Sequence, residues 1–402
     1  MNTAALVHDI SGSYDAFMRL RVSNPYSIFD TKLLYDKQPL FWDDAVLSGG
    51  GTSSVYNSNQ ASVTLSVSSN IAGAHARQTF QRFYYQPGKS QLIMMTGVIG
   101  SYVPGVTKRI GLFDDRNGLF FQSGPDGYYV GKRTYVTGST VDTLVPQSQW
   151  NKNKLDSQDL INLDFNKANI FYFNYEWLGV GDIFCGVALG AKFVPLHQFY
   201  NANNVTTVTF SLPNLPLRYE IQNNGTGPAS SLTCICTTVM SEGGQQGSGY
   251  IYTIDRNNTV LSINTSGIMV PMISYRLQTG KESACVFLEG ISIISSTTNV
   301  LFRWIVVLNP TFSSPITYTP RPNSCIEFNN STTVTTTVTG GTILYSGYGV
   351  GTNSSILSND IAAKLCLGVS LAGVSDVMVL AVQRLDNQTD SFYGSITVRE
   401  AV

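Results

Sequence analysis

The sequence predicts an all-β protein in which an N-terminal arm is followed by two antiparallel β-sandwich domains of the jelly-roll type. Three observations support this fold class: a period of two in the apolar residues, closely spaced turn dipeptides, and weak helical patterns. Over 63–68, apolar residues alternate with Thr and Ser, which indicates a strand with one buried face. Helical spacing occurs only near 13–20 and 360–366, which excludes a doubly wound α/β fold.

The individual strands are predicted from runs of β-branched and aromatic residues between turn signals. The run 170–178 carries aromatic residues on both faces, which indicates a strand that is covered on both sides. Asn117-Gly118 and Asp126-Gly127 separate short apolar runs, and such dipeptides favour the positive φ angles of tight hairpins. The remaining predicted strands are 205–210, 250–254, 300–308, 332–338, 375–382 and 392–398.

These patterns divide the chain into three regions. Residues 1–45 mix charges, aromatic residues and two prolines without a sustained strand pattern, and we interpret them as an arm. Residues 46–245 form the first predicted sandwich. The Gly/Gln/Ser-rich stretch 243–249 is typical of a linker or a long loop, and residues 246–402 form the second predicted sandwich.

Charged residues are scarce in this chain. They make up 13% of it, against roughly 25% in an ordinary soluble domain. A surface of neutral polar groups costs less to desolvate than one of Lys and Glu, so this composition favours contact with other proteins. The net charge of -1 offers little repulsion between copies. We therefore predict a homo-oligomer, such as a trimer or another cyclic assembly.

The same charge balance limits the classes of partner. The 25 basic and 26 acidic residues nearly cancel, and no run of like charges is long enough to neutralise a stretch of phosphates. We therefore expect no nucleic acid partner. No stretch of about 18 apolar residues occurs, so we expect no membrane span. The first 25 residues lack the apolar segment of a secretory signal peptide.

The N-terminal arm combines arginines with aromatic residues, the mixture that dominates binding hot spots. Pro25 and Pro39 each lack a backbone donor, so we do not expect this stretch to form a central strand of the first sandwich. The alternative is an ordinary N-terminal strand and loop that folds back on its own domain. The residues that we predict to dock onto a partner are Arg19, Arg21, Tyr26, Phe29, Phe41 and Trp42.

Sequence motifs for catalysis, cofactors and metals are missing. His8, His75 and His197 are the only histidines and lie far apart, so neither a catalytic triad nor a zinc site has a local motif. Gly88-Lys89-Ser90 looks like the end of a phosphate-binding loop, but Phe83 occupies the position of its first glycine. We predict no catalytic, cofactor-binding or metal-binding residues, and no cofactor.

The cysteines are few and scattered, unlike those of a disulfide scaffold. We interpret them as reduced, buried thiols, and we expect Cys234 and Cys236 to point to one face of a strand. The six are Cys185, Cys234, Cys236, Cys285, Cys325 and Cys366.

The main alternative to a protein without catalytic activity is one that cleaves glycosidic bonds. Aromatic-rich antiparallel sandwiches often bind sugars, and some of them cleave these bonds. Hydrolysis needs two carboxylates about 5 to 9 Å apart across a cleft. Glu176 is the most suggestive acid, but no second acid lies two or four residues away from it. Asp114 and Asp115 lie beside the predicted hairpin, where acidic residues commonly serve turn geometry. We predict that the chain is not an enzyme and has no hydrolytic activity on glycans.

Several segments of the first 245 residues resemble virion-associated structural proteins of tailed, often marine, bacteriophages and of some large algal DNA viruses. Looser similarity continues near Gln383-Arg384 and Arg399-Glu400. The segments that carry the resemblance are 19–22, 24–25, 28–30, 36–43, Tyr85-Gln86-Pro87-Gly88-Lys89-Ser90, 108–114, Glu176-Trp177-Leu178-Gly179-Val180-Gly181, 213–220 and Ser241-Glu242-Gly243-Gly244.

The resemblance implies a structural protein of the virion: a tail, fibre, baseplate or minor capsid component. Its implied partners are other copies of itself and other virion proteins, and it offers no catalytic residues. The first sandwich also looks like a concanavalin-type jelly roll, which keeps a lectin-like module for a host-surface glycan as the alternative. An assembly protein hides its aromatic residues in subunit interfaces. A lectin leaves some of them lining an open groove beside Asn, Asp or Gln.

Overall fold

The computed structural model describes residues 24–155, 163–190, 192–244, 247–256, 259–352, 355–356, 366–387 and 389–401. Within these ranges the chain is almost entirely β, and the one helical element is a 3-10 turn at Gln147–Gln149. The all-β prediction is therefore confirmed. The two segments with helical spacing, 13–20 and 360–366, lie outside the described residues apart from Cys366.

The first half of the described chain folds into two antiparallel sheets packed face to face. The strands of this half are β1 (Pro25–Lys32), β2 (Trp42–Gly49), β3 (Thr52–Asn57), β4 (Ser62–Val67), β5 (Ala72–Thr79), β6 (Ser90–Val98), β7 (Val106–Phe113), β8 (Gly118–Ser123), β9 (Tyr128–Thr134), β10 (Val141–Pro146), β11 (Asn169–Tyr175), β12 (Ile183–Leu189), β13 (Lys192–Phe199), β14 (Leu217–Asn224) and β15 (Ser230–Glu242). One sheet has the strand order β13-β12-β11-β6-β15-β4-β3, with β1 also paired to β15, and the other has the order β10-β9-β8-β7-β14-β5-β2.

The second half repeats this plan with two smaller sheets. The strands of this half are β16 (Tyr250–Asp255), β17 (Leu261–Ile263), β18 (Met269–Leu277), β19 (Cys285–Ser295), β20 (Leu301–Leu308), β21 (Thr311–Phe312), β22 (Thr319–Pro320), β23 (Ile326–Asn329), β24 (Val338–Thr339), β25 (Thr342–Val350), β26 (Ser355–Ile356), β27 (Val377–Arg384) and β28 (Asp390–Ala401). One sheet has the strand order β16-β28-β19-β26, with β17 paired to β28, and the other has the order β22-β23-β18-β27-β20-β25. The short pair β21-β24 is separate.

Two predicted strands are wrong. The segment 205–210 is a loop, in which the Thr209 amide donates to the carbonyl of Trp177. The segment 332–338 is also mostly loop, and only Val338 at its end pairs in a strand. Its Thr332 is buried and donates its hydroxyl to the Pro271 carbonyl. Both segments are rich in β-branched residues, but strand propensity has no effect where the fold offers no neighbouring strand.

The predicted common face of Cys234 and Cys236 is also wrong. Cys234 is buried in the core, whereas Cys236 is half-buried and contacts the Thr96 hydroxyl at 3.2 Å. A β-bulge in β15 shifts its register against β6 between Cys234 and Thr237. An extra residue at a bulge interrupts the alternation of side chains, so the two thiols separate. All six cysteines are free thiols, and only Cys185, Cys234 and Cys285 are fully buried.

The two sandwiches contact each other directly. Tyr84 of the first packs with Cys285, Phe287 and Ala401 of the second in a small buried cluster. The side-chain amide of Asn214 donates to the backbone carbonyl of Ser283 at 3.0 Å. Further hydrogen bonds join the amide of Val369 to the carbonyl of Phe80 and the amide of Leu371 to the carboxylate of Asp43. Grooves therefore form where the two domains meet.

Candidate functional site

An open groove of about 410 Å³ lies where the two sandwiches meet. We call it the aromatic groove. Its volume falls in the range of small-molecule sites, roughly 300 to 1,000 Å³. Most of its lining comes from the loop between β5 and β6 and from two other loops of the first sandwich, and Ser248 and Ala401 contribute the rest. The lining residues are Tyr84, Tyr85, Gln86, Pro87, Lys89, Trp177, Pro213, Asn214, Ser248 and Ala401.

The apolar part of the groove is built on a stack of rings. Tyr85 lies edge-on to Trp177, with ring centroids 6.1 Å apart, and it stacks on the buried Tyr175 at the same separation. The indole N–H of Trp177 donates to the Phe210 carbonyl at 2.8 Å. This bond fixes the half-buried ring at the end of β11. Fixed rings bind an apolar surface with little loss of side-chain entropy.

The polar part of the groove consists of amide and ammonium groups. Lys89 donates to the Gln86 side-chain oxygen and to the Gly244 carbonyl, both at 2.9 Å. The side-chain oxygen of Asn214 accepts from the Tyr85 amide at 3.2 Å, while its nitrogen binds Ser283. These bonds hold Gln86, Lys89 and Asn214 beside the rings. The groove therefore combines flat apolar surfaces with oriented hydrogen-bonding groups.

The chemistry of this lining suits binding rather than hydrolysis. The ten lining residues include no Asp or Glu, and glycosidic cleavage needs a pair of carboxylates. Glu176 lies next to Trp177 in sequence, but its carboxylate packs against Gly181, where an added Cβ would come within 2.0 Å of it. Burial, and then the charge of Glu176, raise the pKa of Tyr85 to about 12, so its hydroxyl stays neutral at physiological pH.

Segments that carry the sequence resemblance converge on this groove. Gln86 and Lys89 belong to the segment 85–90, Trp177 belongs to 176–181 and Asn214 belongs to 213–220. Gly244 anchors Lys89, and Arg399 donates to the Ser248 carbonyl at 3.2 Å. The sequence pointed to these segments, but it could not indicate that loops more than 100 residues apart meet.

The predicted docking residues are divided by the structure. Arg19 and Arg21 lie outside the described residues. Phe29 and Trp42 are buried in the core of the first sandwich, at 7% and 4% exposure, because β1 pairs with β15 and β2 with β5. Tyr26 and Phe41 are half exposed. Of the described docking residues, only these last two present surface to a partner, and docking itself stays a prediction.

A charged cluster that the sequence did not reveal joins the two sheets at one end of the first sandwich. Asp44 binds the Nε2 atom of His75 at 2.6 Å and the hydroxyl of Ser54 at 2.6 Å. Arg77 lies 3.3 Å from the same carboxylate, and Thr52 lies 3.3 Å from the His75 Nδ1 atom. Burial raises the pKa of Asp44, but the hydrogen bonds from His75 and Ser54 and two nearby cations outweigh it and lower that pKa to about 2.

Thr52, His75 and Asp44 place a hydroxyl, an imidazole and a carboxylate in a row, which is the order of groups in a catalytic triad. The cluster nevertheless has the geometry of a structural cross-link between the two sheets. The Asp44 carboxylate, on β2, also binds Ser54 of β3 in the opposite sheet, and Arg77 is only 1% exposed. Buried charges of this kind must be paired. Among the described residues, no group of three or more His, Cys, Asp or Glu side chains could hold a metal ion.

The outer face of the sheet that contains β7 and β14 carries a second charged cluster. Arg109 binds Glu220 at 2.6 Å, and Arg218 binds the same side chain at 2.7 Å. Arg133 pairs with both oxygens of Asp142. Burial raises the pKa of Asp142, but the hydrogen bond and the charge of Arg133 outweigh it and lower that pKa. Asp142 therefore lacks the raised pKa of a general acid.

No helix in the described part of the chain is long and apolar enough to cross a membrane.

No protein-family model and no curated protein matches this sequence. The chain is weakly similar to several solved structures. A glycoside hydrolase family protein from Mycobacterium thermorestibile has 10% identity and a TM-score of 0.37, covering 53% of this chain and 99% of that chain. The Emp47p carbohydrate recognition domain has 12% identity and a TM-score of 0.34, covering 54% and 96%. The CBM2 module of the evolved Dit of Lactobacillus casei BL23 phage J-1 has 7% identity and a TM-score of 0.37, covering 56% and 99%.

Proposed function

We propose that this chain is a non-catalytic structural protein of a virus particle that binds glycan in the aromatic groove. The observation that carries the proposal is the groove itself: rings of Tyr85 and Trp177 beside the amides of Gln86 and Asn214. This is the arrangement that distinguishes a lectin from a pure assembly protein. The virion role rests on the sequence resemblance, and the segments that carry it surround the groove.

The ligand class follows from the lining. One face of a pyranose ring presents C–H groups that pack against an aromatic ring, while its hydroxyl groups need donors and acceptors at the rim. Trp177 supplies the flat surface, Gln86 and Asn214 supply amides, and Lys89 supplies donors. The volume of about 410 Å³ holds one or two sugar residues, so the groove fits a terminal or exposed unit of a longer polysaccharide.

The test is glycan binding by matched variants of the full chain. Purified protein is screened against a panel of cell-surface polysaccharides, and the dissociation constant is measured for each ligand bound. We expect Trp177→Ala and Gln86→Ala to weaken binding at least tenfold, since each removes one half of the recognition surface. The matched control is Tyr35→Ala, an aromatic that is 91% exposed and lies outside the groove.

The outcomes separate the parts of the proposal. Failure to bind any glycan, or unchanged affinity in both groove variants, contradicts the binding role. Release of sugar that is lost in Glu176→Gln contradicts the non-catalytic assignment. The virion role is tested by mass spectrometry of purified particles, in which we expect peptides of this chain at a stoichiometry of several copies per particle. Their absence from intact particles overturns that part.

A further inference from the structure

Lys89 is the one charged side chain among the described residues that line the aromatic groove. It belongs to the loop between β5 and β6 and is half-buried. Its ammonium donates to the side-chain oxygen of Gln86 and to the carbonyl of Gly244, both at 2.9 Å. These two bonds hold the ammonium at the groove. Because a lysine ammonium has three donors, the two contacts leave one donor for a ligand.

The charge of Lys89 has no opposite charge beside it in the described part of the chain. Both of its acceptors are neutral oxygens, and it forms no ion pair with a described Asp or Glu. Residues 245 and 246, which lie outside the described residues, are glutamines and cannot supply a carboxylate. Arg399, which donates to the Ser248 carbonyl at the groove, is by contrast paired with Glu289 at 2.5 Å.

Two acids that are close in sequence to groove residues are bound by other groups. The carboxylate of Glu242 accepts from the hydroxyl of Ser90 at 2.6 Å and from the side-chain amide of Asn174 at 3.0 Å. The carboxylate of Glu400 accepts from the backbone amide of Cys325 at 2.8 Å. Neither acid therefore neutralises a cation in the groove.

Glu176 indicates which end of the groove is suited to an anion. Its carboxylate packs against Gly181. Burial, and then the charge of Glu176, raise the pKa of Tyr85, so a negative charge acts on the Tyr85 hydroxyl. An anionic group of a ligand is therefore disfavoured beside that hydroxyl and favoured beside the Lys89 ammonium.

The binding of a sugar removes water from the Lys89 ammonium. A neutral sugar leaves this charge desolvated without an opposite charge, which costs free energy. An anionic substituent offsets that cost with a charge-assisted hydrogen bond, which is roughly twice as strong as a neutral one. One ammonium balances one negative charge, whereas a phosphate monoester carries about 1.5 to 2. The groove is therefore best matched to a monoanionic sugar.

We propose that the sugar bound in the aromatic groove carries one negative charge, as a uronic acid or a sulfate ester does, and that the Lys89 ammonium binds this group. The proposal rests on the glycan-binding function proposed above and names the substrate class of the same site. Trp177 packs against the sugar ring, and the amides of Gln86 and Asn214 bind its hydroxyl groups. Lys89 then determines the specificity for an acidic unit.

The test compares each acidic polysaccharide with a neutral form of the same polymer. The probes are polygalacturonate, polymannuronate and hyaluronate, each beside the polymer whose carboxylates are reduced to hydroxymethyl groups, and dextran sulfate beside dextran. Dissociation constants are measured for the full chain by calorimetry at low and at high salt. We expect an acidic form to bind at least about tenfold tighter than its neutral form. The preference should weaken at high salt.

Variants of Lys89 locate the source of this preference. Lys89→Gln should bind the acidic and the neutral forms with nearly equal affinity, because its side chain has no charge. Lys89→Arg keeps the charge and should keep the preference. The matched control is Lys192→Gln, at an exposed position on β13 outside the groove. Melting temperatures show whether each variant is folded.

The outcomes separate this proposal from the glycan-binding function. If neutral polymers bind as tightly as acidic ones and Trp177→Ala weakens both, the groove binds glycan but the charge specificity is wrong. If no polysaccharide binds, both proposals fail. A preference that persists in Lys89→Gln, or that Lys192→Gln also removes, places the recognition of charge elsewhere and overturns the proposal. A Lys89-dependent preference for a polyuronate or for dextran sulfate supports it and identifies the anionic group as a carboxylate or a sulfate ester.

Discussion

Buried charges in this protein are tied to particular positions by their partners. Arg77 is 1% exposed, lies 4.9 Å from the centre of the Trp42 ring and donates to the Lys37 carbonyl as well as to Asp44. An unpaired guanidinium in such a place would cost several kcal/mol. The charged cluster around Asp44 therefore links the segment before β2 to β3 and β5. Removal of one charged member leaves the buried charge of its partner unpaired.

The cluster predicts an acid-sensitive step in stability. The folded-state pKa of Asp44 is about 2, below its ordinary value of 3.8. The stabilisation of the fold by the ionised carboxylate is therefore fully present above about pH 4 and is lost as the pH falls through 2. The difference corresponds to about 2 kcal/mol. Denaturant unfolding at pH 4 and pH 2 should show this loss in the wild type and not in Asp44→Asn, which is less stable at both values. The control Asp30→Asn, at an exposed position on β1, should keep the wild-type pH dependence. If the free energy of unfolding of Asp44→Asn falls between pH 4 and pH 2 as much as that of the wild type, Asp44 is not the source of the loss.

Little of this residue-scale detail could be predicted from the sequence. Asp44 and His75 are 31 residues apart and meet because β2 and β5 are neighbours, which no local pattern indicates. Trp177 was predicted to lie within an aromatic strand, but β11 ends at Tyr175, and this places the indole in a loop at the groove. From the mixture of Arg and aromatic residues before residue 45 we predicted docking residues, but two of them, Phe29 and Trp42, lie in the core of the first sandwich.

At the scale of the strand, local signals predicted local structure well. The Asn117-Gly118 and Asp126-Gly127 dipeptides lie at the turns between β7 and β8 and between β8 and β9, as predicted. Of these four residues, however, only Gly118 has the predicted positive φ angle. A tight hairpin is determined by a few adjacent residues, so a single sequence contains its signal. The bulge in β15 and the loop at 332–338 depend on distant partners, and a single sequence contains no such information.

Glycines on the central strands give a second prediction at this scale. A Cβ at Gly131 would come within 2.2 Å of the ring of Phe120, which is fully buried and covered by Arg109 and Arg133. The ring has no free space, so Gly131→Ala should destabilise the protein by about 1 to 3 kcal/mol. The control Gly127→Ala adds a methyl group in open space and should change the free energy of unfolding little. Equal stability of the two variants in urea would show that the Phe120 ring can move.

At the scale of the whole molecule, composition and periodicity predicted two sandwiches but not their interface. The contacts of Tyr84 with Phe287 and of Asn214 with Ser283 come from loops with no strand pattern. The aromatic groove exists only because these loops bring the domains together. Fold class follows from patterns repeated along the chain, whereas a site between domains follows from a few contacts that the chain makes once.

The N-terminal boundary gives the last prediction. Deleting 1–45 removes β1 and two core residues, Phe29 and Trp42, and exposes the edge of β15. Truncation of a large buried aromatic side chain costs about 3 to 5 kcal/mol, so the loss of two such side chains approaches the total stability of a typical domain, about 5 to 15 kcal/mol. We expect this truncation to abolish the cooperative melt of the first sandwich in circular dichroism and calorimetry. Deleting 1–23 keeps every contact among the described residues and should melt cooperatively. A folded 46–402 fragment that fails to enter particles would instead establish residues 1–45 as a separate docking arm.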